Sequence, residues 1–357
     1  MAVINGTSEG ESLFGTRFED EMNGLGGNDV LRGRGGGDQI DGGTGADRML
    51  GRFGDDVYIV DHRDDRVGER FDEGVDTVIA TLAFRLGRNV ENLELRGRGK
   101  FGWGNELDNN LIADNDGGVH GQHNFLDGGA GADFMNGGFG TDTFYVDNVG
   151  DRIELYDNIF FPGGIDDGDT VYASISFDLG EDLDPRTGTF QIGYLNDLIL
   201  TGSDSLNGTG NAADNRLVGN DAANVLRGKQ AFDILVGNGG NDDLFGGTGS
   251  NRLTGGEGSD AFMIETQFID ELTDFTSADD TIFLSRERFS AINDGQLDAG
   301  AFQTGTSAQD ADDRIIYDAS TGQVRYDPDG TGPQGDAVFL FLPVGTELTA
   351  ADFSSFG

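Results

Sequence analysis

The chain has 357 residues, of which 61 are glycine and none is cysteine, so disulfides, zinc–thiolate sites and thiol nucleophiles are excluded. Asp and Glu total 65 against 23 Lys and Arg, and this net charge of −42 opposes any compact state that lacks counter-ions. It excludes nucleic acid and disfavours anionic membranes as partners, and no run approaches the roughly 18 apolar residues of a transmembrane segment.

A nine-residue repeat runs in phase from Gly6 to Ile59, with glycine first, an acid sixth and a large apolar residue eighth. The sixth positions are Glu11, Asp20, Asp29, Asp38, Asp47 and Asp56. The eighth positions are Leu13, Met22, Leu31, Ile40, Met49 and Tyr58. Because glycine bends the chain and the last three residues alternate in polarity, each unit predicts a turn followed by a short strand.

Two further arrays follow, and a duplicated spacer comes after each of the first two arrays. The tripeptide Asp76-Thr77-Val78 corresponds to Asp169-Thr170-Val171, and NVENLELRG at 89–97 resembles YLNDLILTG at 194–202. The predicted segments are a first array (1–60), a β spacer (61–103), a second, partly degenerate array (104–146), a duplicate spacer (147–209), a third array (210–263) and a C-terminal β-rich capping unit (264–357). No stretch has a helical apolar period, so we expect an all-β solenoid.

Two units would complete one coil of eighteen residues, so apolar eighth positions would meet in a thin core and sixth-position acids would stack. Stacked like charges repel by roughly 1 kcal/mol per pair at ~4 Å in water, and more in a lower dielectric. Carboxylates and the carbonyls of glycine-rich turns form the hard oxygen set that Ca²⁺ prefers. The pattern therefore predicts multiple Ca²⁺ ions as the cofactor.

The units GGTGADRML, GGAGADFMN and GGEGSDAFM are similar to the hemolysin-type nonapeptide repeat of the RTX (repeats-in-toxin) family of type I-secreted bacterial proteins. The resemblance implies a right-handed parallel β-roll with Ca²⁺ held between adjacent turns. It also implies an extracellular protein that leaves the cell through the type I secretion machinery with an uncleaved C-terminal signal. The last residues, GTELTAADFSSFG, contain no Lys or Arg and fit such a signal.

The predicted metal sites carry this family pattern onto matching positions. The acids and amides are Asp20, Asp29, Asp38, Asp47, Asp56, Asp133, Asp142, Asp233, Asp242, Asp260, Asn124 and Asn251. The accompanying glycines are Gly27, Gly36, Gly45, Gly54, Gly131, Gly140, Gly240, Gly249 and Gly258. Asparagine offers a carbonyl oxygen without charge, so the sites that contain Asn are expected to bind Ca²⁺ more weakly or not at all.

Three functions stay open at this point. The first is a secreted scaffold or surface component that folds when Ca²⁺ binds. The second is an extracellular enzyme acting on polysaccharide, for which no catalytic constellation stands out. The third is an adhesin or glycan-binding module that uses the spacers, where Phe101 and Trp103 lie beside Arg98.

Overall fold

The computed structural model describes residues 1–97, 99–114, 123–138, 140–155, 168–180, 195–266 and 268–357. It contains two compact units, the first made of described residues of Met1–Tyr172 and the second of described residues from Ala173 to Gly357. Both are built from short parallel strands stacked as a β-solenoid, which confirms the predicted fold class. The described residues include no helix long and apolar enough to cross a membrane.

The described residues of the first unit form short strands joined by turns, without a helix. They are β1 (Ala2–Asn5), β2 (Ser12–Phe14), β3 (Asp20–Asn23), β4 (Val30–Gly35), β5 (Gln39–Asp41), β6 (Arg48–Phe53), β7 (Val57–Val60), β8 (Arg66–Val67), β9 (Thr77–Ala80), β10 (Phe84–Arg85), β11 (Asn92–Arg96), β12 (Phe101–Asn105), β13 (Asn110–Asp114), β14 (Phe125–Gly129), β15 (Phe134–Asn136), β16 (Thr143–Val146), β17 (Arg152–Ile153) and β18 (Asp169–Ala173). One sheet has the order β1-β3-β5-β7-β9-β11-β13-β15-β17, and β2-β4-β6-β8 forms another. Strands β10, β12, β14 and β16 belong to a further sheet.

Strand pairing in the first array advances by eighteen residues per coil. Ala2 is paired with Asp20 between β1 and β3, and Ser12 with Val30 between β2 and β4. Odd-numbered and even-numbered strands thus form two sheets, and their eighth-position side chains meet between them. Those side chains are fully buried from the second nonapeptide onward, namely Met22, Leu31, Ile40, Met49 and Tyr58. The predicted coil of two nonapeptides is confirmed.

The spacers contribute strands to the same sheets as the arrays. Strand β9 pairs with β7 through Val57 and Thr77, and β11 pairs with β9 through Asn92 and Thr77. Coils in these stretches therefore have lengths other than eighteen residues while keeping the parallel pairing. The duplicated motifs form corresponding strands, since DTV lies at β9 and β18.

The second unit continues with strands and two short 3₁₀ helices, Ala299–Ala301 and Ala350–Asp352. Its strands are β19 (Phe177–Asp178), β20 (Leu195–Leu200), β21 (Asn207–Thr209), β22 (Arg216–Val218), β23 (Val225–Arg227), β24 (Ile234–Gly239), β25 (Asp243–Phe245), β26 (Arg252–Glu257), β27 (Ala261–Ile264), β28 (Asp270–Leu272), β29 (Thr281–Ser285), β30 (Phe302–Thr304), β31 (Ile315–Asp318), β32 (Gln323–Tyr326), β33 (Ala337–Phe341) and β34 (Phe353–Phe356). One sheet has the order β19-β21-β23-β25-β27-β29-β34, and a second contains β20-β22-β24-β26-β28-β33-β32-β31-β30.

The C-terminal strands cover the last solenoid coil of this unit. Strand β33 pairs with β28, and β34 pairs with β29, so the hydrogen-bonding edges of the final coil are covered. Strands β31 and β32 form an antiparallel hairpin whose turn lies between Asp318 and Gln323 and contains Ser-Thr-Gly. This arrangement confirms the predicted β-rich cap.

Candidate metal sites in the repeat turns

The sixth-position acids stack from coil to coil, as the coil length predicts. The backbone N–H of one acid donates to the side-chain carboxylate of the next. The N–H of Asp20 donates to Oδ1 of Asp38 at 2.8 Å, and the N–H of Asp38 donates to Oδ1 of Asp56 at 2.7 Å. On the opposite side of the coil, the N–H of Asp29 donates to Oδ1 of Asp47 at 2.7 Å. Each carboxylate therefore has one oxygen committed to the neighbouring coil, which leaves Oδ2 for another partner.

Turns of one kind, which we call open turns, have positive φ at their second and fourth residues. In the turn before Asp29 these residues are Leu25 (φ 72°) and Gly27 (φ 99°). Every glycine predicted as a site residue occupies the fourth position and has positive φ: Gly27, Gly36, Gly45, Gly54, Gly131, Gly140, Gly240, Gly249 and Gly258. A tenth open turn has Ala231 (φ 74°) there, which is strained because Cβ disfavours this region.

The aspartates of the open turns are at most 2% exposed. Among them, Oδ2 is buried without a hydrogen-bond partner in Asp29, Asp38, Asp47, Asp56, Asp133, Asp233, Asp242 and Asp260. Asp142 is equally buried in its open turn. A buried carboxylate oxygen without a partner is costly, so this repeated arrangement indicates positions that bind a cation.

Burial raises the pKa of seven of these carboxyl groups, the backbone hydrogen bond lowers it, and neighbouring acids raise it further. The pKa is raised to about 6 for Asp38 and Asp47, to about 7 for Asp133 and Asp242, and to about 8 for Asp56. Asp233 behaves in the same way, with a pKa of about 7, and the pKa of Asp260 is also raised. Without a cation, these groups therefore keep their protons to a higher pH than ordinary carboxyl groups do.

In several open turns a carbonyl oxygen of the next coil lies near the free Oδ2. A Cβ built on Gly24 would contact Oδ2 of Asp29 and also the carbonyl oxygen of Gly42 from the next coil. The same relation joins Gly237 to Asp242 Oδ2 and to the Gly255 carbonyl. Because the first residue of these nonapeptides is glycine, the space between the carboxylate and the carbonyl is not filled by a Cβ. This oxygen set fits Ca²⁺, and the aspartates and carbonyls of the open turns would hold it.

Turns of the other kind, which we call closed turns, satisfy the sixth residue internally. The N–H of Thr16 donates to Oδ2 of Asp20 at 2.5 Å, and the N–H of Asn220 donates to Oδ1 of Asn224 at 2.8 Å. The same bond occurs at Glu11, Asn109 and Asn215. The pKa of Asp20 is lowered because these hydrogen bonds outweigh burial. The predicted pair Asp20–Asp38 therefore offers one unbonded carboxylate oxygen, whereas Asp29–Asp47, Asp38–Asp56 and Asp242–Asp260 each offer two.

The two predicted asparagine ligands use their amide nitrogens on nearby carbonyls. Asn124 Nδ2 donates to the Gly137 carbonyl at 2.8 Å, and Asn251 Nδ2 donates to the Gly249 carbonyl at 3.3 Å. An amide donor pointing at a carbonyl competes with a cation for the same oxygen. Metal binding at these two positions stays a prediction.

Four stacked acids lie outside the nonapeptide register, and sequence reasoning did not assign them. Asp76, Asp169, Asp270 and Asp280 accept the N–H of Asp56, Asp142, Asn251 and Asp260 at 2.6–3.0 Å. Their distance from the preceding repeat acid differs from eighteen residues, so a strict period misses them. The available signal was a β-branched pair directly after the aspartate, which follows Asp76, Asp169 and Asp280 but not Asp270.

The segment HGQH at 120–123 carries two histidines, which are weaker candidates for holding a metal than the open turns. His120 lies outside the described residues, and His123 has Nδ1 at 3.0 Å from the carbonyl oxygen of Thr141. This contact gives His123 a structural partner in the second array, in keeping with a loop residue.

Comparison with known proteins bears directly on these turns. The family model described as RTX calcium-binding nonapeptide repeat (4 copies) matches residues 5–40, 23–58, 121–153, 209–230 and 227–262. The chain contains RTX calcium-binding nonapeptide repeats. The matched ranges contain all ten open turns of the described residues. Calcium binding by such repeats is a property of the family.

A curated relative, endo-1,3-1,4-beta-glycanase ExsH of Rhizobium meliloti (strain 1021), is 43% identical over 56 residues. The alignment covers 16% of this chain and 12% of the glycanase. The chain thus spans about an eighth of that relative, and the similarity reaches only a short stretch.

Proposed function

We propose that this protein is a secreted scaffold or surface component whose open turns bind Ca²⁺ and fold outside the cell. The observation that carries the proposal is the row of buried Oδ2 atoms in open turns. None of the eight aspartates with an unpartnered Oδ2, Asp142 being outside that set, has an ion pair with Lys or Arg within the described ranges. Ca²⁺ would supply the missing positive charge and would link each coil to the next.

The proposed export route agrees with the position of the C-terminal residues in the fold. The predicted type I signal includes Ala350–Asp352 and β34, and Phe353 in β34 is fully buried. An exporter would therefore recognise this segment before folding. Low intracellular Ca²⁺ would keep the acidic chain expanded for that step, and external Ca²⁺ would then close the coils.

The decisive experiment is a Ca²⁺ titration of chelator-stripped protein, followed by far-UV circular dichroism and hydrodynamic radius. We expect a cooperative gain of β signal together with compaction. A chain that is already compact and β-rich without metal would contradict Ca²⁺-driven folding. Mg²⁺ serves as the control, because its stricter octahedral geometry suits these turns less well.

A second candidate function, glycan binding, is favoured by a row of aromatic rings on the first unit. Consecutive ring centroids are 4.8–5.9 Å apart along Phe101, Trp103, Phe125, Tyr145 and Tyr172. Phe101 is 48% exposed and Tyr145 is 36% exposed, so the row is not a buried core. Aromatic faces of this kind suit the apolar faces of sugar rings.

Polar groups accompany the row. The Arg85 guanidinium lies 5.1 Å from the Trp103 ring centroid, and Asp127 is paired with both Trp103 and Tyr145 in the sheet. Such groups can hydrogen-bond to sugar hydroxyls. The resemblance to a glycanase suggests mixed-linkage 1,3-1,4-β-glucan as a first probe.

Affinity electrophoresis with that glucan tests this candidate. We expect retardation that is lost in Trp103→Ala and kept in Phe71→Ala, since Phe71 is exposed at 84% away from the row. Equal migration with and without glucan would contradict glycan binding. Release of reducing ends would favour the enzymatic alternative.

A further inference from the structure

A cluster of three carboxylates lies where the first array passes into its spacer. Asp56, Glu69 and Asp76 each offer one oxygen, and these oxygens lie within 4.8 Å of one another. That separation is about twice a Ca²⁺–oxygen distance of roughly 2.3–2.6 Å, so one ion can bridge them. Only Asp56 belongs to a nonapeptide repeat.

Two of the three side chains are buried with an oxygen left over. Asp56 is 0% and Asp76 is 1% exposed, and Oδ2 of each has no hydrogen-bond partner. The Oδ1 atom of each accepts a backbone N–H, from Asp38 at 2.7 Å and from Asp56 at 2.9 Å. No Lys or Arg forms an ion pair with any of the three carboxylates in the part of the chain that the structure describes.

Glu69 is held in the cluster by a dedicated set of donors. Its Oε1 accepts the N–H of Gly51 at 3.0 Å and the hydroxyl of Tyr58, and its Oε2 accepts the N–H of Arg52 at 3.2 Å. Tyr58 is fully buried, and its hydroxyl also accepts the Gly51 N–H at 2.7 Å. These bonds orient a third carboxylate toward two others, which repulsion alone would oppose.

We infer that Asp56, Glu69 and Asp76 together bind one divalent cation of the Ca²⁺ class. The set contains only oxygen, which disfavours zinc, and it has a formal charge of −3, more than any pair of repeat aspartates supplies. The site would anchor the spacer to the end of the first array. The inference deepens the proposed function and rests on it in requiring that the folded chain binds Ca²⁺.

The second copy of the spacer provides an internal comparison. When Asp65-Arg66 is aligned with Asp151-Arg152, Tyr58 corresponds to Phe144 and Glu69 corresponds to Leu155. The stacked pair is nevertheless kept there, since the N–H of Asp142 donates to Oδ1 of Asp169 at 2.6 Å. By this alignment, the residues that correspond to Tyr58 and Glu69 in the second copy offer neither a hydroxyl nor a carboxylate.

Anomalous diffraction from crystals of the full chain with Tb³⁺ replacing Ca²⁺ tests the site. We expect one peak among the three carboxylates and further peaks between the open turns. Peaks in the open turns with none at the cluster would overturn this inference and leave the proposed function standing. An absence of peaks at every position would contradict both.

A measurement in solution tests the same site without crystals. In equilibrium dialysis of the full chain with radioactive Ca²⁺, Glu69→Gln should bind one ion fewer than the parent protein. Glu94→Gln is the matched control, because Glu94 pairs with Arg96 on the same spacer and lies outside the cluster. A stoichiometry that Glu69→Gln leaves unchanged would overturn the inference, provided that its circular dichroism spectrum matches the parent.

Discussion

The first array and the beginning of the third array have the same coil length but different turns. Before Asp38 the turn is open, and a carboxylate oxygen is buried without a partner. Before Asn215 the turn is closed, since Asn211 N–H donates to Asn215 Oδ1 at 2.7 Å and Asn215 Nδ2 donates to the Leu195 carbonyl at 3.2 Å. The eighth-position leucines Leu217 and Leu226 near the closed turns are as buried as Leu31 in the first array.

The comparison separates the features that form the solenoid from the features that would bind metal. Apolar columns and strand pairing are common to both kinds of coil, so they do not require an ion. The open turns add buried charge that only a cation or protons can neutralise. The fourth and sixth residues differ between the two kinds of turn: of the ten open turns in the described residues, nine have glycine at the fourth position and nine have aspartate at the sixth.

The largest expected effect is a pH dependence that reverses with metal. Burial raises the pKa of Asp38 to about 6, of Asp242 to about 7 and of Asp56 to about 8, whereas an unfolded aspartate titrates near ~3.9. Between about pH 4 and pH 8 the unfolded chain has released protons that the folded chain still holds. Rising pH therefore destabilises the metal-free fold, by about 1.4 kcal/mol per pKa unit at each group. In metal-free buffer the fold should therefore be populated only toward the acidic end of this range, and its Tm should fall as the pH rises until the chain is expanded at neutral pH.

With saturating Ca²⁺ the sign should reverse. Protons compete with the ion for the same carboxylates, so binding strengthens and Tm rises with pH over the same window. Thermal unfolding followed by circular dichroism, with and without Ca²⁺ at each pH, measures both slopes. Parallel slopes in the two conditions would show that the open turns do not bind the ion.

The next largest effect is expected for Gly45→Ala, a substitution within an open turn. Gly45 has φ 142°, and a Cβ there would overlap the carbonyl oxygen of Gly27. We expect a loss of at least about 2 kcal/mol in the free energy of unfolding, measured by denaturant titration in Ca²⁺. Gly335→Ala is the control, since nothing lies within 4 Å of its added Cβ. Equal stability of the two variants would argue against the open-turn geometry.

Asp242→Asn should remove a Ca²⁺ site and stabilise the metal-free protein by about 1–3 kcal/mol, because a buried unpaired charge is removed. The reverse change, Asn224→Asp, should gain no ion, because its turn is closed by the Asn220 N–H. Ca²⁺ stoichiometry and metal-free Tm for both variants check this contrast. A site gained by Asn224→Asp would mean that charge alone decides binding.

The smallest expected effect is a gain in stability. Ala231 is the alanine that stands at the fourth position of an open turn, with φ 74°. Ala231→Gly should therefore stabilise the protein by about 1 kcal/mol by relieving backbone strain. Ala213→Gly, at the same position of a closed turn, should instead destabilise it slightly, because Ala213 does not have positive φ. A Tm that moves in the same direction for both would be contrary to this expectation.

Much of the fold was predictable from the repeat. The nine-residue period specifies the coil, the buried column from Met22 to Tyr58 and the stacking of Asp20, Asp38 and Asp56. The duplicated DTV motif predicted matching strands at β9 and β18. The six segment boundaries stay predictions, since the spacer strands join the same sheets as the arrays.

The candidate sites were predicted less completely, for a physical reason. The sequence alone determined which positions carry acids and glycines, because period and residue type are local properties. Only the tertiary structure decided which acids have a free oxygen, since Asp20 and Asp38 share a sequence position but not a turn conformation. It also decided that Glu69 and Asp76 meet Asp56, because insertions shift them out of register while parallel pairing returns them to the same edge of the coil.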